Sequence, residues 1–170
     1  MWDKLLEGNR RYAAGFDPGE RTKWPTLRLA VLTCMDCRIS PVDLLGFEIG
    51  DAAVVRNAGG RASSDALRSL ALAVRLLEVE RVLVLHHTDC ALAGQTEESV
   101  RARLESEGVP TSALGDREFL AMPDPDAALR ADVEAIRSFP LLPRGIEVVG
   151  WRFDVERGGV DRIVGLDEAG

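Results

Sequence analysis

The chain has 170 residues, 46% of them hydrophobic, which suits one domain that buries a core without disulfide bonds. Its 21 basic and 28 acidic residues leave a formal net charge of −7, so it lacks the positive surface that is typical of nucleic-acid-binding proteins. Because no apolar run reaches the roughly 18 residues of a membrane span, and no apolar signal-peptide core stands near the N-terminus, we expect a cytoplasmic protein with no membrane or nucleic-acid partner.

The hydrophobic pattern predicts helices and strands in alternation along the chain. In the first half it predicts a helix over 3–14, a connector over 15–25, a strand over 27–33, a helical turn over 41–47 and a strand over 52–56. In the second half it predicts a helix from Ser63 or Ser64 to about residue 78, a strand over 81–87, helices over 97–107 and 127–138, and strands over 146–155 and 160–164. The pattern is weakest between residues 108 and 126.

Strands that alternate with helices are typical of βαβ units. We therefore predict a single α/β domain over 1–170, with a mostly parallel central sheet flanked by helices. The apolar–charged alternation over 146–155 predicts an edge strand, which the turn over 156–159 joins to the last strand as a short antiparallel edge hairpin. The helix over 3–14 is too short and too thinly apolar to be stable alone, so the segment 1–25 needs a partner surface.

All the cysteines and histidines fall in two short segments: Cys34 and Cys37 just past the first predicted strand, and His86, His87 and Cys90 at the end of the third. In an open parallel sheet these two strand ends meet at the same edge, where ligands bind. An odd number of cysteines without an export signal argues against a disulfide framework. The clustering instead predicts metal or redox chemistry at this edge.

The role of Cys37 decides between three kinds of site. Two thiolates and an imidazole suit Zn²⁺ better than Mg²⁺ or Ca²⁺, and Cys34, His87 and Cys90 alone would leave the fourth position open, as in catalytic zinc sites. Cys37 as a fourth ligand would give a sealed structural site. A Cys34–Cys37 pair would give a redox motif, and a buried Cys37 would do neither. Spacing alone leaves these alternatives open.

Four segments in the same order and spacing resemble motifs of the β-class carbonic anhydrases, in the short form of the family: LLEGNRRY at 5–12, CMDCR at 34–38, GDAAVVRNAGG at 50–60 and HHTDC at 86–90. The similarity runs from about residue 4 to residue 90 and thins over 91–145. The resemblance implies reversible hydration of CO2 to bicarbonate by attack of a zinc-bound hydroxide. It also implies that Cys34, His87 and Cys90 bind the zinc ion.

The resemblance implies roles for further residues. Asp36 and Arg38 match the family's catalytic Asp–Arg dyad, in which the carboxylate accepts the hydrogen bond of the hydroxide and aims its lone pair at the substrate. Released from Arg38, Asp36 becomes a conditional fourth metal ligand. The implied pocket wall is the turn formed by Asn57, Ala58, Gly59 and Gly60. The implied assembly is a homodimer or a dimer of dimers, with the N-terminal helix on the second subunit.

The sequence departs from the family pattern at three positions. A small residue is more usual at the position of Cys37, and glycine is more usual at the positions of His86 and Ala91. His86 alternates with His87 along a strand, so it points to the other face, where a packing role competes with proton shuttling. Some members of the family hydrolyse carbonyl sulfide or carbon disulfide, and the ligands alone do not distinguish these substrates from CO2. A structural-zinc binding protein and a thiol redox protein are the alternatives from other classes.

Overall fold

The computed structural model describes residues 1–165, in which five strands form one sheet: β1 (Leu29–Cys34), β2 (Ala52–Asn57), β3 (Arg81–His87), β4 (Glu147–Phe153) and β5 (Val160–Val164). The strand order is β2-β1-β3-β4-β5; the first four strands are parallel, and β5 is antiparallel to β4. This confirms the predicted single α/β domain with a C-terminal antiparallel hairpin. Residues 166–170 of the predicted domain lie outside the described part.

Within residues 1–165, five α-helices connect and flank the strands: α1 (Trp2–Ala14), α2 (Pro41–Leu45), α3 (Ser64–Leu76), α4 (Glu97–Ser106) and α5 (Pro125–Arg137). Short 3₁₀ turns lie at Ala58–Gly60 and Thr111–Leu114. Ser63 caps α3 by accepting a hydrogen bond from the Ala66 N–H. Asp124 caps α5 in the same way, so that helix begins at Pro125, earlier than predicted. No helix within residues 1–165 is long and apolar enough to cross a lipid bilayer.

The sheet separates two layers of the core because side chains alternate between its faces. On one face, Leu32 of β1 and Val84 of β3 pack with Leu70 of α3 and Val133 of α5. The opposite face carries a second buried cluster that includes Val31, Leu83, Leu85, Met122 and Phe153. Because both faces are covered, β1 and β3 are nearly continuous apolar runs.

The prediction that residues 146–155 form an edge strand is wrong. β4 pairs with β3 on one side and with β5 on the other, so β5 is the edge strand. The alternation that suggested an edge belongs to the two faces of an interior strand. Val148 is buried against the core beneath α5, and Arg152 on the same side is neutralised by Asp126 of α5, with Nη1 and Oδ1 2.6 Å apart.

Candidate metal centre

The structure brings together three of the predicted ligands at the carboxyl edge of the sheet. Cys34 is the last residue of β1, His87 is the last residue of β3, and Cys90 lies in the turn that follows β3. All three residues are buried, and their ligand atoms lie within 4.8 Å of one another. Ligand atoms on a tetrahedral zinc ion lie about 3.6–3.8 Å apart, so the cluster has the size of a zinc site.

His87 is oriented for metal binding by the backbone beside it. Its Nδ1 lies 2.7 Å from the Thr88 carbonyl oxygen, which can only accept a hydrogen bond, so Nδ1 carries the proton. Nε2 therefore presents a lone pair, and this buried atom has no hydrogen-bond partner. A buried polar atom without a partner is costly, and a metal ion satisfies it. The residues thus fit a zinc ion that completes the bonding of Nε2.

The Cys34 sulfur lies among hydrogen-bond donors. The Cys90 thiol donates to it, as do the backbone N–H groups of Asp36 and Gly59, and together with His87 these contacts lower the pKa of Cys34 to about 4 against the effect of burial. A thiolate is the form of cysteine that binds zinc. Cys34 is therefore ready to act as a ligand at neutral pH.

Cys90 shares a proton with Cys34 before metal binding. The hydrogen bond between the two sulfurs, followed by burial, raises the pKa of Cys90. The backbone N–H groups of Leu92 and Ala93 also donate to the Cys90 sulfur and favour its thiolate. Zinc binding therefore displaces one proton from the cysteine pair.

Asp36 and Arg38 form a bidentate ion pair next to the ligand cluster. The Arg38 Nε donates to Asp36 Oδ1 at 3.0 Å, and its Nη2 donates to Oδ2 at 2.7 Å. These hydrogen bonds, with one from the Arg38 backbone, hold the pKa of Asp36 well below its usual range. Asp36 Oδ2 lies 3.9 Å from His87 Nε2. A permanently ionised carboxylate thus stands beside the position of the metal.

Two contacts that sequence reasoning missed hold this pair in place. Arg38 Nη1 also donates to Asp89 Oδ2 at 2.7 Å, which joins the segments that carry the two cysteine ligands. Arg56 of β2 donates from Nε to the Cys34 carbonyl at 3.0 Å and from Nη2 to the Asp36 carbonyl at 2.7 Å. The sequence held one indication of the Arg56 contacts. Arg56 stands directly before the predicted Asn57–Gly60 turn, at the end of the strand that neighbours β1.

The turn predicted as a pocket wall packs directly on the backbone of Cys34. Gly60 has φ +69°, and a Cβ atom there would lie 2.9 Å from the Cys34 nitrogen. Asn57 holds the turn closed, because its side chain accepts from the Arg61 N–H at 2.8 Å and donates to the Arg61 carbonyl at 2.7 Å. The close approach explains a glycine at position 60, whereas a pocket-wall role for Asn57, Ala58, Gly59 and Gly60 stays a prediction.

Cys37 and His86 lie away from the ligand cluster. Cys37 is exposed and is not one of the three clustered residues. His86 is buried on the opposite face of the sheet, as the alternation predicts, with Nε2 3.1 Å from Asp132 Oδ2 of α5. The cluster therefore offers three protein ligands, Cys34, His87 and Cys90.

Two thiolates and one imidazole at the carboxyl edge of a parallel sheet define an α/β zinc protein with a three-ligand site of the catalytic type. A sequence model described as carbonic anhydrase matches residues 29–160, most of the chain. The chain belongs to the β-carbonic anhydrase family, as the sequence resemblance implied.

Relatives of known sequence and structure agree with this membership. Beta-carbonic anhydrase 1 of Mycobacterium tuberculosis is 30% identical over 161 residues, which cover 95% of this chain and 96% of the relative. A carbon disulfide hydrolase of Acidianus sp. (strain A1-3) is 33% identical over 150 residues, which cover 76% of this chain and 74% of that protein. The crystal structure of a Streptococcus mutans carbonic anhydrase superposes with a TM-score of 0.87 at 32% identity, covering 95% of this chain and 96% of the other.

Proposed function

We propose that this protein is a zinc enzyme that hydrates CO2 reversibly to bicarbonate, with Cys34, His87 and Cys90 as the metal ligands. The observation that carries the proposal is the unpartnered, buried Nε2 of His87 within a cluster of two thiols, 3.9 Å from the Asp36 carboxylate. A site that only stabilised the fold would need no ionised carboxylate held in this position. Such a carboxylate suits a site where a nucleophile is oriented.

Bound zinc supplies a nucleophile at neutral pH, because the ion makes a water molecule much more acidic. Asp36 can only accept hydrogen bonds in this site, since Arg38 keeps its carboxyl group ionised. It therefore accepts the remaining hydrogen of the nucleophile, which turns a lone pair toward the carbon of CO2. Arg38 holds the carboxylate in the plane of its guanidinium, and Asp89 holds Arg38. The three residues set the angle of attack.

Asp36 is also proposed as a conditional fourth metal ligand. It stands two residues from Cys34, and its Oδ2 is already 3.9 Å from a ligand nitrogen. Released from Arg38, the carboxylate would be able to bind the metal ion in place of the nucleophile. Arg38→Ala removes the competing partner, so a crystal structure of the zinc-loaded variant is expected to show Asp36 on the metal. Asp36 turned away from zinc in that structure would exclude the closed form.

A second candidate substrate class is carbonyl sulfide or carbon disulfide. The relative from Acidianus sp., a carbon disulfide hydrolase, favours this alternative because its 33% identity, over a shorter match, is comparable to the 30% of the mycobacterial carbonic anhydrase. The three substrates share a linear shape and a central electrophilic carbon, so the same ligands and dyad serve each of them.

We further propose a homodimer or a dimer of dimers in the cytoplasm. Leu5 and Leu6 of α1 are exposed, and no residue of α1 is buried. An apolar cavity of about 400 Å³, lined in part by Leu29 and Trp151, also opens on the sheet face opposite α3. A second subunit would cover both surfaces, with residues 1–25 packed on the partner. The reduced thiols that zinc requires suit the cytoplasm. Light scattering is expected to give at least twice the mass of one chain.

The proposed function is tested on one preparation of known zinc content. CO2 hydration is followed by stopped-flow proton release, and carbonyl sulfide and carbon disulfide hydrolysis by sulfide release. We expect about one zinc ion per chain and rapid CO2 hydration. A zinc-loaded protein that is inactive on all three substrates would leave the structural-zinc interpretation as the better one.

A further inference from the structure

A buried cluster of polar residues lies outside the metal centre. Arg61, His86 and Asp132 are each less than 10% exposed, with exposed fractions of 8%, 3% and 5%. Their side chains meet beneath α5, on the face of the sheet that the metal ligands do not use. A buried ion pair of this kind is weak evidence for stability, because its desolvation offsets its attraction. It therefore calls for another explanation.

One carboxylate organises the cluster. Asp132 Oδ2 accepts a hydrogen bond from Arg61 Nε at 2.6 Å and lies 3.1 Å from His86 Nε2. Asp132 Oδ1 accepts from the Ala62 backbone N–H at 3.0 Å. These donors hold the pKa of Asp132 below its ordinary value even though burial opposes the shift. The ionised side chain thus joins helix α5 to the segment at residues 61–62 and to β3.

The first of these links leads to the Cys34 ligand. Arg61 and Ala62 directly follow the turn Ala58–Gly60. Gly60 packs against the backbone of Cys34 at the limit of steric contact. Asp132 holds the two residues at the end of the turn, next to the glycine that packs on Cys34.

A second link leads toward the Cys90 ligand. The Arg61 guanidinium, held by Asp132, donates from Nη1 to the carbonyl groups of Leu120 and Ala121. These carbonyls precede Met122, which is buried at 1% exposure. Arg61 thereby fixes the approach of this loop to the segment after Cys90.

The loop then holds the segment after Cys90. Met122 forms two backbone hydrogen bonds with this segment: its N–H donates to the Leu92 carbonyl at 3.0 Å, and its carbonyl accepts from the Gly94 N–H at 2.8 Å. The Ala93 N–H, between these two residues, donates to the Cys90 carbonyl at 3.0 Å. The backbone beside each cysteine is therefore contacted by a segment that is linked to Asp132.

We propose that Asp132 is a positioning residue of the zinc site, which through Arg61 fixes the backbone segments beside Cys34 and Cys90. This inference rests on the proposed zinc site. Groups that orient the ligands of a metal tune both the metal affinity and the electron density at the metal. Asp132 touches neither the metal nor the substrate, and its effect reaches the metal through the two sulfurs.

The test compares Asp132→Asn with Asp126→Asn in the full-length protein loaded with Co²⁺. Asp126 lies on the same helix and also forms an ion pair at 2.6 Å, but its partner is Arg152 of β4 and not Arg61. We expect Asp132→Asn to shift the sulfur-to-cobalt charge-transfer and ligand-field bands. We also expect it to lower Zn²⁺ affinity about 10- to 100-fold in a chelator competition. Asp126→Asn should leave the spectrum and the affinity unchanged.

Folding of the variants is checked by circular dichroism. Should Asp132→Asn not fold, Arg61→Lys takes its place, because a lysine keeps the charge opposite Asp132 but cannot also reach the two loop carbonyls. A folded variant with the spectrum and affinity of the original protein overturns the proposal. Because neither readout needs turnover, the spectral shift can appear in a protein that is inactive on CO2. Failure of the original protein to bind Co²⁺ or Zn²⁺ would instead overturn the proposed zinc site and, with it, this inference.

Discussion

Gly60→Ala probes the contact between the Asn57–Gly60 turn and the backbone of the Cys34 ligand. The native residue has φ +69°, a region that costs a residue with a Cβ atom about 1–2 kcal/mol. The new Cβ would also lie 2.9 Å from both the Cys34 nitrogen and the Thr33 carbonyl carbon. Normal contacts are about 3.5–4.0 Å, and overpacking of a well-packed site costs about 1–3 kcal/mol. The two effects together predict a loss of roughly 2–5 kcal/mol.

The matched control for this substitution is Gly145→Ala. Gly145 has φ +82°, and an added Cβ would meet no atom within 4 Å, so this variant carries the conformational cost alone. Urea unfolding of the metal-free proteins measures the free energy of unfolding without a contribution from zinc affinity. We expect Gly60→Ala to lose at least about 1 kcal/mol more than Gly145→Ala. Equal losses in the two variants would show that the turn does not press on the Cys34 backbone, and the steric reasoning would be refuted.

Three further outcomes are expected. Cys34→Ser should lose most of its bound zinc by elemental analysis while Cys37→Ser retains it; zinc loss in Cys37→Ser would contradict the ligand assignment. Asp36→Asn should keep zinc but lose most CO2 hydration, because an amide presents an N–H₂ group where the nucleophile needs an acceptor, and full activity would remove the dyad from the mechanism. The lowered pKa of Asp132 predicts stabilisation that is present above the ordinary aspartate pKa and is lost as the pH falls through the lower folded value. The free energy of unfolding of Asp132→Asn should therefore depend less steeply on pH below about pH 4 than that of the original protein. The same dependence in both proteins would argue against an ionised Asp132.

Local patterns in the sequence were sufficient to predict the elements that carry the site. Cys34 and His87 each stand at the end of a short apolar run. Turn residues bound both runs, segments with helical periodicity flank them, and each run forms a parallel strand. Parallel strands of one sheet end at one edge, so the meeting of these residues with Cys90 follows from topology. The Asp36–Arg38 pair is likewise local, since its members stand two positions apart in the chain.

The tertiary structure decided everything that depends on contacts between segments far apart in the chain. Apolar–charged alternation does not distinguish an edge strand from an interior strand whose charges are neutralised by a neighbouring helix, which is why β4 was assigned wrongly. Arg61 and Asp132 stand 71 residues apart, and Arg56 reaches the Cys34 carbonyl across 22 residues. No spacing rule connects such residues, because their distance is set by the packing of α5 on the sheet and by the pairing of β2 with β1. The sequence by itself determined which side chains are the candidate metal ligands, and the packed fold determined which distant groups hold the backbone beside them.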